Sequence, residues 1–469
     1  MTDDKNARAL LTLAAELPDD VQAPVLRLVE RGRSRRRLRA AASALTACGL
    51  VAAAITGAAV VSTADRPIGP PARRAEGPPT PPPGPTATQL ARFHWSTLPA
   101  SPLRYRLDPV LTWTGHELLE IGGINGPTGQ PTRDGAAFDP GTGRWHLIAP
   151  IRANVLTTVP VSTWTGRQLF VTNGQPAKCA LRRPVSAAAL IQCAPTAGLY
   201  DPATDRWTYT PLPKPMRDLN LRGAVWTGRE VILAGTDVYR LGMAVAAYDP
   251  ADRRWSMITP TLPSDHPPVA GSLVATSDRV LLWSMWTRTK KISYNDYANY
   301  SGIDVLALDS AGRWRTVQAR WPQHESVDGQ MTVEGPLTYA GHQIFVPPGL
   351  IYCGVGRCSS GFLAAHLADA RTLALTAIPG GPLNSPNGLD PGIWLWDGAA
   401  ALVATAKSAG PLGSGEATLS ALAAYDPATR QWHTLPVPPG TPAITARPLW
   451  ANRQMFVLTQ AGKLLTFRR

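Results

Sequence analysis

The sequence predicts an all-β body, a four-stranded unit repeated seven times and closed into a ring, preceded by a single transmembrane helix. Three observations predict the ring. One phrase recurs as Phe138-Asp139-Pro140-Gly141-Thr142-Gly143-Arg144-Trp145, Tyr200-Asp201-Pro202-Ala203-Thr204-Asp205-Arg206-Trp207, Tyr248-Asp249-Pro250-Ala251-Asp252-Arg253-Arg254-Trp255 and Tyr425-Asp426-Pro427-Ala428-Thr429-Arg430-Gln431-Trp432, with weaker copies from Leu308-Asp309 to Trp314 and from Asp369 to Leu375. A second phrase precedes each copy, as Thr112-Trp113-Thr114-Gly115, Thr163-Trp164-Thr165-Gly166, Val225-Trp226-Thr227-Gly228, Val274-Ala275-Thr276-Ser277, Thr338-Tyr339-Ala340-Gly341 and Leu395-Trp396-Asp397-Gly398, and appears a seventh time at Leu449-Trp450-Ala451-Asn452. The third observation is a split unit. The seventh copy ends without a Trp strand, whereas His94-Trp95-Ser96-Thr97-Leu98-Pro99, near the start of the body, looks like Gln431-Trp432-His433-Thr434-Leu435-Pro436. Trp145, Trp207, Trp255, Trp314 and Trp432 are spaced by 62, 48, 59 and 118 residues, the last being two repeats. A four-stranded unit at that period is a propeller blade, so residues 93–469 read as one seven-bladed β-propeller with N-/C-terminal strand closure.

Within a unit, the first strand leads into the Trp-Thr-Gly turn and the second is the apolar run after it, such as Gln168-Leu169-Phe170-Val171 or Glu230-Val231-Ile232-Leu233. The third ends at Tyr-Asp-Pro and the fourth starts at the repeated Trp. Asp-Pro-Ala-Thr reads as a type I turn, with the Asp carboxylate accepting from backbone N–H groups ahead of it and Pro presetting φ. The repeated Trp, Tyr and Asp-Pro residues are read as blade packing and turns.

Three segments precede the body. Residues 1–39 form a short cytoplasmic segment with nine Lys/Arg and six Asp/Glu, ending in Arg31, Arg33, Arg35, Arg36, Arg37 and Arg39. Residues 40–64 carry no charge over 25 positions, enough to cross ~30 Å of hydrocarbon at ~1.5 Å per residue. This stretch reads as the transmembrane helix. A cleaved signal peptide has a similar basic flank and small residues, but 39 residues lie ahead of the apolar run and the run exceeds an ordinary signal core. The arginine flank orients the N-terminus inward, which puts the propeller outside the cell membrane. Residues 65–92 hold nine prolines and few large apolar residues, as in an extended linker. The net charge of +13 falls to +8 over residues 93–469, and the densest basic run is explained by topology. No nucleic-acid partner is expected.

The cysteines agree with export. Cys48 lies in the apolar stretch, while Cys179, Cys193, Cys353 and Cys358 form two local pairs, 14 and 5 residues apart. In an exported region an even number suggests disulfides; four cysteines allow three connectivities, of which local pairing is favoured. Zinc spacing with accompanying His is missing, so no metal and no cofactor are expected.

The chain resembles the kelch-type propellers, including the central domain of galactose oxidase. The likeness rests on Gly122-Gly123 closing a second strand and on an aromatic seven residues before Trp in the pairs Phe138/Trp145, Tyr200/Trp207, Tyr248/Trp255 and Tyr425/Trp432. The doubled glycine occurs in one unit only, which marks a divergent, bacterial-type version. The resemblance implies the fold; such propellers carry both binding modules and enzymes. The copper site of galactose oxidase needs Tyr, His and a Tyr-linked Cys, and no such cluster can be assembled here.

Function is sought in the connections. One end of the ring has only minimal turns, while the insertions 125–133, 173–195, 286–301 and 347–361 and the longer blade-to-blade loops share the other end. Loops on a rigid scaffold are where binding residues concentrate. The richest insertion carries Trp286, Lys290, Lys291, Tyr294, Tyr297 and Tyr300, a Tyr/Asn-rich, basic set suited to a protein surface, a glycan or a cell-wall polymer. His266 beside Asp265 and His324 beside Glu325 on the same end are the only acid–base candidates, and no catalytic motif accompanies them. The expectation is a membrane-anchored extracytoplasmic binding protein. An exported enzyme is the alternative, or a transmembrane sensor linked to a sigma factor.

Overall fold

The computed structural model describes His94 to Arg468 apart from residues 104, 153–154, 156–159, 175–195, 238–241, 292–296, 310–311, 318–323, 327–328, 334–336, 340–341, 347–348, 354–361, 364, 381–392, 397–399, 409–416, 428, 439, 441–442, 445 and 447. The segments 1–39, 40–64 and 65–92, and with them the expected membrane helix and Cys48, lie outside the described residues, as do Cys179, Cys193 and Cys358. Among the described residues no helix is long and apolar enough to cross a membrane.

The body is a seven-bladed β-propeller, each blade an antiparallel meander of four strands. Blade 1 is Val110–Trp113, Leu118–Ile121, Gly135–Asp139 and Arg144–Ile148; blade 2 is Pro160–Trp164, Leu169–Asn173, Thr196–Asp201 and Arg206–Pro211; blade 3 is Asn220–Trp226, Val231–Asp237, Gly242–Asp249 and Arg254–Met257. Blade 4 is Pro268–Ala275, Val280–Lys291, Tyr297–Leu308 and Trp314–Val317; blade 5 is Thr338–Tyr339, Gln343–Val346, His366–Asp369 and Leu375–Ala377; blade 6 is Ile393–Trp396, Ala401–Ser408, Ala417–Asp426 and Gln431–Leu435. Blade 7 takes Leu449–Ala451, Gln454–Leu458 and Leu464–Arg468 from the end of the chain and His94–Leu98 from the start of the body, with Trp95 opposite Phe467 and Leu98 opposite Leu464. The strand closure read from the sequence is therefore present.

First strands of neighbouring blades approach one another, so they ring the axis. The second strands of blades 1 and 7 are buried throughout, and fourth strands are the most exposed. Burial on both faces gives the core its form: seven apolar clusters, one in each seam between adjacent blades.

The repeated aromatics fill those seams. Each third-strand aromatic lies opposite its Trp, with ring centroids 5.3 Å apart for Phe138/Trp145, 5.1 Å for Tyr200/Trp207, 4.9 Å for Tyr248/Trp255 and 5.3 Å for Tyr425/Trp432. The indole N–H then reaches the preceding blade. Trp145 donates to the Pro99 carbonyl at 2.8 Å, Trp207 to Ala149 at 2.7 Å, Trp432 to Pro379 at 2.9 Å and Trp95 to Pro436 at 2.7 Å. Trp314 donates to the Ile258 carbonyl, and Trp255 to the Thr210 hydroxyl at 3.1 Å. Blade 5 has Leu375 in place of Trp, and Arg279 of blade 4 bridges that seam instead, donating to the Ala370 and Arg371 carbonyls at 2.6 and 3.0 Å.

The turns carry the other repeated residues. Thr114, Thr165 and Thr227 accept through their hydroxyls from Glu117, Gln168 and Glu230 N–H, each at 2.9 Å, closing the first-to-second-strand turn. At the third-to-fourth turn Asp139 accepts from Gly141 N–H at 2.7 Å and from the Thr142 hydroxyl at 2.9 Å, and the Thr142 bond chiefly holds its carboxyl below the usual range. The type I reading is incomplete. A left-handed residue follows, with φ of 67° at Gly143 but also 50° at Asp205, 54° at Arg253, 59° at Leu373 and 57° at Arg430.

Candidate functional site

Antiparallel strands alternate in direction, so first-to-second and third-to-fourth turns share one end of the ring and all other connections share the opposite end. The short-turn end carries a cleft of about 260 Å³ between blades 5 and 6, lined by Gln343, Asp369, Thr376, Tyr425 and Arg430. The opposite end is built up most over blade 4, whose second and third strands run 12 residues each against 4 to 10 in the other blades.

The insertion read as a loop over 286–301 is thus mostly a β-hairpin, paired continuously from Trp286 opposite Gly302 to Lys291 opposite Tyr297. The register puts positions 286, 288, 290, 298, 300 and 302 on one face, and positions 287, 289, 291, 297, 299 and 301 on the other. Lys290 and Tyr300 accordingly share the face of Trp286, whereas Lys291 and Tyr297 sit on the reverse; Tyr294 lies outside the described residues. The sequence could not show this split, because it depends on a register that only pairing sets.

Trp286 is a correction to the surface reading. Its side chain is 4% exposed, lies flat against the His266 imidazole with centroids 3.9 Å apart and planes at 8°, and covers Gly302, where an added Cβ would stand 2.4 Å from Cζ2. Trp286 therefore builds the wall behind His266 and presents no contact surface of its own.

His266 comes from the loop between blades 3 and 4. A turn with His266 N–H donating to the Pro263 carbonyl at 3.1 Å brings it round, and its Nδ1 lies 2.9 Å from Asp304 Oδ2. Sequence adjacency paired it with Asp265, whose carboxylate is 3.9 Å from Nε2 and largely exposed; the closer acid comes from 38 residues away on the third strand. A carboxylate at Nδ1 fixes the orientation of the ring. His324 and Glu325 occupy a short strand, His324–Ser326, that pairs outside the hairpin with Ser301 and Tyr300 opposite them. His266 and the strand carrying His324 and Glu325 thus both meet the third strand of blade 4. Among the described residues no group of three or more His, Cys, Asp or Glu is arranged to hold a metal ion.

A second polar cluster escaped the sequence reading. Arg106, 2% exposed, donates to the Gly122 carbonyl at 2.9 Å and to Asp134 at 3.0 and 3.2 Å, with Glu120 at 3.6 Å. Glu120, also 2% exposed, accepts from the Ser101 hydroxyl at 2.6 Å, and the Ser101 N–H donates to Gly462 of blade 7 at 2.8 Å. Burial pushes the Glu120 carboxyl above its ordinary 4.5, against Ser101 and Arg106, which pull it down. The signal was a charge inside the apolar run Leu118-Leu119-Glu120-Ile121. This cluster seals the point where the closing strand hands over to blade 1. Gly123 belongs to it, since a Cβ there would meet the carbonyl of Leu107, on the short strand Arg106–Leu107 that pairs with Ile124–Asn125, at 2.7 Å.

Cys353 ends the strand Gly349–Cys353, which pairs with Gly329–Val333 to make a small extra sheet beside the hairpin. Compared with protein-family models and with curated proteins, the chain matches none.

Proposed function

We infer that this chain is a binding protein that engages its partner through the long-connection end of the propeller, centred on the blade 4 hairpin. The observation that carries this reading is the asymmetry of the ring: among the described residues blade 4 alone is drawn out to 12-residue strands, and it is braced at its base by the His266–Trp286–Asp304 contacts. A hairpin held at its base is a contact surface that needs little ordering on binding. The partner is a protein, or a glycan or cell-wall polymer, reached by Lys290, Lys291, Tyr294, Tyr297 and Tyr300 without a cofactor.

The placement of the module follows from the N-terminal segments: residues 40–64 anchor it in the cell membrane with the N-terminus inside and the propeller outside, and Cys179–Cys193 and Cys353–Cys358 close disulfides in that setting. A reporter fused after Arg469 then works only outside the cytoplasm, and cytoplasmic activity rejects the orientation. For the face, the full-length protein with Lys290, Lys291, Tyr294, Tyr297 and Tyr300 changed to Ala is expected to lose retention on cell-wall material or partner protein, with an unchanged melting temperature. The control with Arg167, Arg229 and His342 changed to Ala retains both. Loss of retention in the control alone means the opposite face binds.

A further inference from the structure

The first strand of blade 4 stops pairing early. Its last partner pair is Pro268 with Trp286, and the chain before it is His266-Pro267. Proline has no N–H to continue a ladder, and the stack on Trp286 with the Asp304 bond draws His266 away. Above that point Thr287 to Lys291 pair with Ser301 to Tyr297 on one side. The far side of the third strand is covered by His324–Ser326, whereas among the described residues no strand pairs with the other side of Thr287 to Lys291. Among the described residues the hairpin therefore has one paired edge and one edge of five residues that no strand pairs, about 17 Å long at ~3.3 Å per residue, with Gly329–Val333 lying beside the hairpin without pairing to it.

An open edge offers alternate N–H and C=O groups to any extended chain. This one reads Thr-Arg-Thr-Lys-Lys, three cations and no acid. Like charges oppose pairing with the same edge of a second copy, while a strand bearing carboxylates gains from both the ladder and the charges. We propose that the Thr287–Lys291 edge takes up an extended acidic segment of a partner protein as an added β-strand. This mode of recognition draws affinity from main-chain bonds and selectivity from side chains. It rests on the reading that the long-connection end binds, and it specifies the partner as protein.

The test uses the full-length chain in detergent micelles and a fluorescent decapeptide of alternating Glu and Val, read by anisotropy. Binding is expected, at least about tenfold tighter than for the same peptide with Lys replacing Glu, and lost when alternate amides of the Glu peptide are N-methylated, which keeps the charge and blocks the ladder. Lys290→Glu with Lys291→Glu, folded by circular dichroism, is expected to reverse the preference. Equal binding of the methylated peptide, equal binding of an acidic polysaccharide, self-association through the edge, or no binding overturns the proposal. If the peptide fails while the Ala variant above still loses retention, the edge is wrong and the face stands; if neither responds, both fall.

Discussion

At the residue scale, the repeated turn stores strain where it departs from glycine. Arg253 and Arg430 hold φ of 54° and 57°, a region that costs a residue with a Cβ about 1 kcal/mol. Arg253→Gly and Arg430→Gly are each expected to stabilise the propeller by ~0.5–1 kcal/mol, less the added freedom of the unfolded chain, as read by urea denaturation. Asp205 shares the conformation, but its carboxylate accepts from the Tyr200 hydroxyl at 2.8 Å and from Ala149 N–H at 2.7 Å, so the same change there is expected to destabilise. Glu120 makes a pH prediction. Its folded-state carboxyl is raised by burial, so its contribution is fully present below the unfolded value and is lost as pH rises through the folded one. Glu120→Gln is therefore expected to gain stability relative to the parent as pH goes from ~4 to ~7. A constant difference across that range shows that the raised carboxyl is not what couples the cluster to pH.

At the element scale, the hairpin of blade 4 depends on one glycine. Trp286 lies over Gly302, opposite it in the register, and the indole in turn carries His266. Gly302→Ala forces the indole outward and is expected to cost about 1–3 kcal/mol by overpacking. His266→Ala removes a largely buried stack and bond worth about 1 kcal/mol. Because both act on one contact, the double variant is expected to be less destabilised than the sum; additive melting shifts show that the two residues do not share a contact. This explains why Trp286 was misjudged from sequence. Its neighbours Thr287 to Tyr300 are mostly polar, yet alternation in a strand buries one position while its neighbour faces the other way.

At the scale of the molecule, the ring is held by one device used in nearly every seam and by a special one at its closure. The indole N–H staples, at about 1 kcal/mol each, add to the apolar wedges and align one blade on the next. The closing blade has two of them, Trp95 to Pro436 and Trp145 to Pro99, together with the Arg106–Glu120–Asp134–Ser101 cluster. Deleting residues 93–99 removes the Trp95 indole and the Pro99 carbonyl and opens an edge on Leu464–Arg468. That deletion is expected to lower the melting temperature sharply, whereas deleting residues 65–90 leaves it unchanged; equal melting of the two rejects the closure. Breaking the seal by Arg106→Met leaves Glu120 buried without its cation, at a cost of about 3–5 kcal/mol.

Much of this was legible in the chain. Repeated Trp, Tyr and Asp-Pro residues announced blades because each blade must solve the same packing problem against its neighbour, and a repeated problem leaves a repeated phrase. The split of Trp95 from its blade was readable for the same reason, since a ring without free edges needs its missing strand somewhere. The face bearing the insertions followed from loop lengths alone. What the repeats do not carry, only the tertiary structure decided: that His266 is held by Asp304 rather than by adjacent Asp265, that Trp286 is a wall, that position 290 pairs with 298 and position 291 with 297, and that Arg106 and Glu120 meet across the closure. Each of these joins residues from separate strands or loops. Local spacing specifies turns and strand periods, whereas contacts between elements are set by register and by the angle at which blades meet, which no single segment encodes.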